Sequence, residues 1–372
     1  MTALKTRLVK KIKESGPVSV AEYMTLCLLD PKDGYYPTRD PLGSEGDFIT
    51  APEISQMFGE VLGLWVIQTW RDMGRPARIN LVELGPGRGI MMSDILRTLA
   101  LDPDLIKALS IAFIEASPAL ENVQADTLKN APVPVTWVKD IRALPSMPTV
   151  IIGNEFLDCL PIRQYVQKDP FAGAKGFHER MVTLDEHGEL GFGLNPAPIA
   201  TPAQEDLPLA HKEARTDDLI ELCPAFSDLC DQLSERFSVH SGRALFIDYG
   251  PETTEFGDTL QALKRHKKID VFAMPGESDL TARVDFSALK HKAHKAGLSA
   301  TQSVTQQEFL SKLGIEMRAV ALSRSANDAD TAKIARQLAR LTDSDQMGTL
   351  FKAICLQSST LPLPLGFRDM TS

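Results

Sequence analysis

Residues 78–92 read Arg-Ile-Asn-Leu-Val-Glu-Leu-Gly-Pro-Gly-Arg-Gly-Ile-Met-Met, and no other stretch narrows the fold so far. Leu81, Val82 and Leu84 make the short apolar run of a strand covered on both faces. Gly85, Gly87 and Gly89 then permit a tight turn with backbone close to a ligand, and the chain from Ile90 opens into a helix. A strand, a glycine turn and a helix in immediate succession point to a doubly wound α/β sheet, whose ligands lie at the carboxyl ends of its strands.

Glycine turns of this kind also bind dinucleotides and phosphates, so chemistry has to narrow the ligand. The dinucleotide fingerprint wants glycine or alanine where Ile90 stands, and nothing matches the lysine-bearing phosphate loop. Glu83, at the strand's carboxyl end, would oppose a pyrophosphate and attract an ammonium. S-adenosyl-L-methionine carries an ammonium and a sulfonium and no phosphate. Glu-Leu-Gly-Pro-Gly-Arg-Gly is thus similar to the first motif of class I methyltransferases, the plainer alternative being a structural turn or another nucleotide.

Acids recur at the ends of the later strands. Residues 109–115 read as a second strand ending at Glu115, which can reach the two hydroxyls of a ribose, as nicotinamide-binding and methyl-donor folds both require. Residues 133–140 give a third strand with Asp140 just beyond it, placed to accept from an adenine amino group or, equally, to serve as a solvated turn residue. Residues 149–153 are a fourth strand, followed by Asn154-Glu155-Phe156-Leu157-Asp158-Cys159-Leu160-Pro161, the stretch where a methyl acceptor should sit. Glu155 and Asp158 are three apart, so on one helical turn they share a face and could hold a guanidinium by bidentate hydrogen bonds. The plainer reading is a capping or salt-bridging pair.

Around this core, residues 5–29 pattern as two helices separated at Gly16-Pro17, with Ser19 capping the second. Residues 43–50 form a loop that ends in a capping box, Thr50-Ala51-Pro52-Glu53, followed by an apolar helix face of Ile54, Met57, Phe58, Val61, Leu62 and Trp65. Residues 161–194 look like a β-hairpin insertion, 195–209 like irregular chain and 217–237 like helix. Residues 243–250 are a fifth buried strand, 269–272 a short one, and 279–286 lead into a helix; 298–304 and 351–357 are strands with a helix over 330–341 between them. The expected division is 1–75 as an N-terminal helical region with a lid, 76–160 as the first part of the core, 161–240 as the insertion and 241–372 as the remainder.

Bulk properties exclude several classes. A net charge of −9 argues against sequence-independent nucleic-acid binding, and the basic runs at 264–268 and 291–295 read as solvated faces. No apolar run approaches the length of a membrane span, so no membrane insertion is expected. Cys27, Cys159, Cys223, Cys230 and Cys355 form no Cys-x-x-Cys pair and the histidines are scattered, which predicts reduced thiols and no metal site.

The combination resembles the MidA-like proteins, a class I methyltransferase group whose mitochondrial members are arginine methyltransferases acting in respiratory complex I assembly. The resemblance rests on Ala21-Glu22-Tyr23-Met24, Gly34-Tyr35-Tyr36, the block from Gly46 to Glu60, the glycine turn, Asn154-Glu155-Phe156-Leu157-Asp158, Asp248-Tyr249-Gly250, and Asp279-Leu280-Thr281-Ala282 with Val284-Asp285-Phe286. It implies an α/β fold of the class I methyltransferase (Rossmann-like) kind, with helices on both faces of the sheet, an N-terminal helical extension and the hairpin insertion. It also implies S-adenosyl-L-methionine as cofactor and a protein partner, in eukaryotes a complex I core subunit, as acceptor of symmetric dimethylation on arginine.

On that basis the cofactor-binding candidates are Thr50, Glu83, Gly85, Gly87, Gly89, Glu115, Asp140 and Asn154. Gly85, Gly87 and Gly89 would wrap the methionine part, Glu83 face its ammonium, Glu115 take the ribose and Asp140 the adenine. Residues 47–50 would close over the donor as a lid. Asn154 stands where the group often has histidine, a departure that bears on the cofactor contacts. Glu155, with Asp158 second, is the candidate catalytic pair that orients the guanidinium. Residues 1–16 are basic and amphipathic but do not read as a mitochondrial presequence or a secretory signal, so the expectation is a bacterial cytoplasmic enzyme or a processed matrix protein. The competing functions are a small-molecule methyltransferase, with a compact apolar acceptor pocket, and a non-catalytic assembly chaperone that binds the donor.

Overall fold

A computed structural model of the chain describes residues 2–38, 49–171, 174–200 and 206–368. Six strands form the body of its main sheet: β1 (Ile79–Leu84), β2 (Leu109–Ile114), β3 (Val135–Val138), β4 (Thr149–Asn154), β5 (Gly242–Tyr249) and β6 (Phe351–Gln357). They lie in the order β3-β2-β1-β4-β5-β6, with the short strands Ser299–Ala300 and Val304–Thr305 paired to β6. β1 to β5 run parallel and β6 antiparallel to β5.

Alternation of side chains along the strands explains why helices cover both faces. Val82 and Leu84 of β1 join Ala244 and Phe246 of β5 in one core, which Ala225–Val239 and Phe286–Lys295 cover. Ile79 and Leu81 join Leu245 and Ile247 in the other, beneath Gln56–Asp72 and Ile90–Leu99. With both faces covered, β1 and β4 are buried along their whole length. The chain builds outward from β1 through β2 to β3, then returns to lay β4 and β5 on the other side. The crevice at the carboxyl ends of β1 and β4 is therefore the switch point where a ligand can enter.

Before the sheet come α1 (Ala3–Ser15) and α2 (Val20–Leu29), with the Ser19 hydroxyl accepting from Glu22 N–H at 3.1 Å. Next are the short helix α3 (Tyr35–Thr38), then α4 (Ala51–Ile54), α5 (Gln56–Asp72) and, after the glycine turn, α6 (Ile90–Leu99). The helix expected from Thr50 onward is broken at Ser55, whose backbone is extended. Thr50 makes no side-chain cap, so the expected capping box does not form; Ser55 instead accepts from Met57 N–H at 3.3 Å and starts α5. Ser55→Ala should therefore cost about 1 kcal/mol, read as a lower urea midpoint with an unchanged slope.

α5 and α6 pack unusually close. A Cβ on Gly59 would stand 2.5 Å from Asp94 Cβ, and one on Gly63 2.6 Å from Thr98 Cβ. Glu60, between them, is buried and paired with Arg97 and Arg318. This backbone approach holds α6, and with it the glycine turn, against the sheet.

The insertion is larger than a hairpin. Arg163–Phe171, Ala174–Leu184, Leu190–Pro198 and Leu219–Leu222 form an antiparallel sheet that also takes Val18–Ser19 as an edge. Strand thus replaces the irregular chain expected up to Pro198 and the helix expected before Ala225, because Ile220 pairs with Tyr165 and is buried beside it. A three-stranded sheet of Gln261–Lys264, Lys267–Ile269 and Asp279–Thr281 follows, so Asp279 opens on a strand before the helix. The basic run at 264–268 is a hairpin turn, with Arg265 and His266 in the left-handed region at φ 49° and 61°. Among the described residues no helix is long and apolar enough to cross a membrane.

Candidate functional site

A cavity of about 290 Å³ opens at the carboxyl ends of β1 and β4. On one side it is walled by the glycine turn, Glu83, Glu115 and Lys139, and on the other by Tyr36, Asn154, Glu155, Asp158, Cys159 and Asp279. Thr50 and Glu53 line it from α4 and its approach, and Thr25, Leu28 and Leu29 from α2.

The glycine turn takes the left-handed conformations its sequence permits, with φ 60° at Gly85, 54° at Gly87 and 77° at Gly89. Gly85 and Gly87 line the cavity, and a Cβ on Gly85 would come within 3.2 Å of the Phe156 ring. Gly89 sits one step back as the residue that opens α6. Glu83 is only 2 % exposed, and its Oε2 has no hydrogen-bond partner. Burial, and then the neighbouring Glu115, push its carboxyl well above the usual range. A ligand ammonium would supply the missing partner.

Glu115 is buried and held in place. Its two oxygens accept from Ser117 N–H at 2.7 Å and Gln124 Nε2 at 2.9 Å. Burial raises its pKa, against the pull of those donors. Gln124, fully buried, also donates to the Gly87 carbonyl at 2.8 Å and accepts from Trp137 Nε1 at 2.7 Å. One amide thus ties the turn to Glu115, a link with no short-range signal in the sequence.

Asp140 is placed elsewhere than expected. It starts the short helix Ile141–Ala143, accepting from Arg142 N–H at 2.7 Å and from the Arg142 guanidinium at 3.2 Å, and does not line the cavity. Its neighbour Lys139 does, reaching back to the Glu115 carbonyl at 2.8 Å. Of the expected lid, Asp47 and Phe48 lie outside the described residues, while Thr50 lines the cavity.

Glu155 and Asp158 both face the cavity, but not from a helical turn. Glu155 is in the left-handed region at φ 51°, a strained place for a side chain of its kind. Its Oε1 accepts from Ala51 N–H at 2.9 Å and Asn154 Nδ2 at 3.0 Å, so it caps α4 where Thr50 does not. Burial pushes its carboxyl up to about 7, although both donors oppose the shift. Asp158 follows in a turn held by Asp248, whose Oδ2 accepts from Leu157 N–H at 2.8 Å and Asp158 N–H at 3.2 Å. Burial first, then Asp248, Asp279 and Glu155, hold Asp158 well above the carboxylate range. Asn154 keeps a buried Oδ1 without a hydrogen-bond partner.

Known proteins resemble this chain over most of its length. Residues 61–304, more than half of the chain, match the family described as S-adenosyl-L-methionine-dependent methyltransferase. The chain is 36% identical to protein arginine methyltransferase NDUFAF7, mitochondrial, of Xenopus tropicalis over 99% of its own length and 90% of the relative's. With the human protein of the same name the identity is 36%, over 96% and 83% of the two chains. A Burkholderia thailandensis structure solved bound to S-adenosyl-homocysteine superposes with a TM-score of 0.83 at 28% identity, covering 98% of this chain and 94% of that one.

Proposed function

The chain belongs to the family of S-adenosyl-L-methionine-dependent methyltransferases, and from that membership we propose that it methylates arginine in a protein, symmetrically and on a respiratory complex I subunit or its bacterial counterpart. The observation that carries the reading is the division of one cavity into a glycine-turn half with an unpaired Glu83 and a half lined by Glu155 and Asp158. The names of the relatives support a protein arginine as acceptor. The relatives are named mitochondrial, which supports a mitochondrial enzyme where the chain is eukaryotic.

When bound, the donor supplies an electrophilic methyl on a positively charged sulfur. Glu83 would hold its ammonium, Glu115 its ribose and the Gly85 and Gly87 backbone its methionine part, with Asn154 and Thr50 closing the remaining sides. Asp140, turned to Arg142, is left out of this set. Glu155 and Asp158 would orient the guanidinium and draw its charge away from the attacking nitrogen. Arginine stays protonated in water, so positioning and electrostatics contribute more than a strong base would. The proton released on methylation can pass to this acidic wall.

Incubating the protein with cell extract and a methyl-labelled donor, then hydrolysing the product, tests the reading. Label on arginine is expected; label on lysine, a carboxyl group or a small metabolite overturns it.

A pH dependence follows from Glu155. Its folded pKa is raised from 4.5 to about 7, so the protonated acid stabilises the fold below the unfolded pKa, and that contribution is lost as pH rises through about 7. A cationic acceptor needs the ionised acid, so its binding runs the other way. KM for the acceptor should fall with rising pH, by up to about tenfold per unit below that value, and level off above it.

A further inference from the structure

α4 is 4 residues long and cannot hold its own shape, since so short a helix closes too few hydrogen bonds to offset the order it imposes. Ala51 and Ile54 are packed in the core, which sets where α4 lies. Apolar packing is non-directional, so how α4 is turned depends on the polar contacts at its two ends. At the first end, Ala51 N–H donates to Glu155 Oε1 at 2.9 Å. At the second, the extended Ser55 breaks the helix and leaves the carbonyl of Ile54, a residue 8 % exposed, without a continuing turn. Gln337 Nε2 donates to that carbonyl at 2.5 Å.

Gln337 stands 283 residues further along the chain, on the helix Asp328–Thr342. That helix is itself anchored. The fully buried Gln306, directly after the strand Val304–Thr305 that pairs with β6, donates from Nε2 to the Leu341 carbonyl at 2.8 Å. A line of fixed contacts thus runs from the main sheet through this helix and α4 to Glu155.

We propose that Gln337 is a positioning residue for Glu155: by holding the Ile54 carbonyl it keeps α4 turned so that the Ala51 N–H stays on the carboxylate. The proposal rests on the reading of Glu155 as the group that orients the acceptor, and adds what orients Glu155. An N–H on a carboxylate favours its ionised form. Burial pushes Glu155 up, and the Ala51 N–H is the strongest of the groups that oppose it, ahead of Asn154 and Arg340. The other charged groups acting with Glu155 are Asp158 in its own turn and Asp248 at the end of β5. Glu53 of α4 and Asp279 line the same cavity. Replacing Gln337 deletes none of these groups, so it isolates the contact made through α4.

Melting temperatures of the full chain as wild type, Gln337→Met, Glu155→Gln and the double variant test the link. Methionine keeps the length and packing of Gln337 but lacks its donor. In the wild-type background, Gln337→Met should lower the melting temperature more at about pH 8.5 than at about pH 6, because Glu155 ionises only above about 7. In the Glu155→Gln background the loss should be the same at both pH values. Gln337→Ala serves where the methionine variant fails to fold. Methyl transfer from a labelled donor into cell-extract protein gives the functional readout. The wild-type rate should climb with pH and level off above about 7, and in Gln337→Met the climb should end about half a pH unit or more higher. Equal losses at the two pH values in both backgrounds overturn the proposal, as does an unmoved climb where Glu155→Gln abolishes transfer. A pH-dependent loss with no wild-type transfer, or with undiminished transfer by Glu155→Gln, would instead overturn the reading of Glu155 and leave the hold of Gln337 on it standing.

Discussion

Glu83→Gln is expected to weaken S-adenosyl-L-methionine binding by about 100-fold, because it removes one charge-assisted contact in a buried site while leaving its shape intact. The effect on the free protein has the opposite sign. Glu83 is buried beside Glu115 with one oxygen unpartnered, and its raised pKa means that the fold loses stability as pH climbs through that pKa. Glutamine does not titrate, so the variant should hold its melting temperature as pH rises where the wild type declines. Calorimetry adds a third sign. If an ammonium drives Glu83 to ionise, donor binding releases a proton, and the apparent enthalpy depends on the buffer in the wild type more than in the variant. Unchanged donor affinity in Glu83→Gln would remove Glu83 from the site.

Glu155→Gln carries the second large effect: turnover should fall by about 100- to 1,000-fold with donor affinity within about twofold of wild type. A glutamine can still accept the Ala51 N–H and keep α4 capped, so the loss would report the charge and not the fold. Glu155→Gly separates the two further. Glycine accepts φ 51° without strain, so part of the stability lost with the cap returns while activity does not. A glutamine variant that methylates at the wild-type rate would show that orienting the acceptor does not need this carboxylate.

The parts of the site legible in the sequence are those whose signals are local. The apolar run 81–84, the glycine spacing and the acids at strand ends each lie within a few residues of the structure they encode, and β1, β2, β4 and β5 fall where periodicity places them. What was not legible depends on partners far away. Val18–Ser19 is a strand only because Met181 and Val182 pair with it, and Leu219–Leu222 only because Arg163–Phe171 does. Glu155 and Asp158 have helical spacing, but Asp248 captures the backbone N–H groups of the turn between them and prevents a helix. Asp140 has the right position in the chain and the wrong neighbour, since Arg142 two residues on takes its carboxylate. Gly59 and Gly63 sit inside a helical pattern with no outward sign that α6 approaches them so closely.

The cavity draws its walls from residues 25–36, 50–53, 83–91, 114–120, 139, 154–161 and 279. A nascent chain therefore holds no complete pocket until three quarters of it has left the ribosome, however early the glycine turn is made. Translation products that stop short of Asp279 would carry every residue assigned to the methyl donor and lack one wall of the cavity that faces the acceptor.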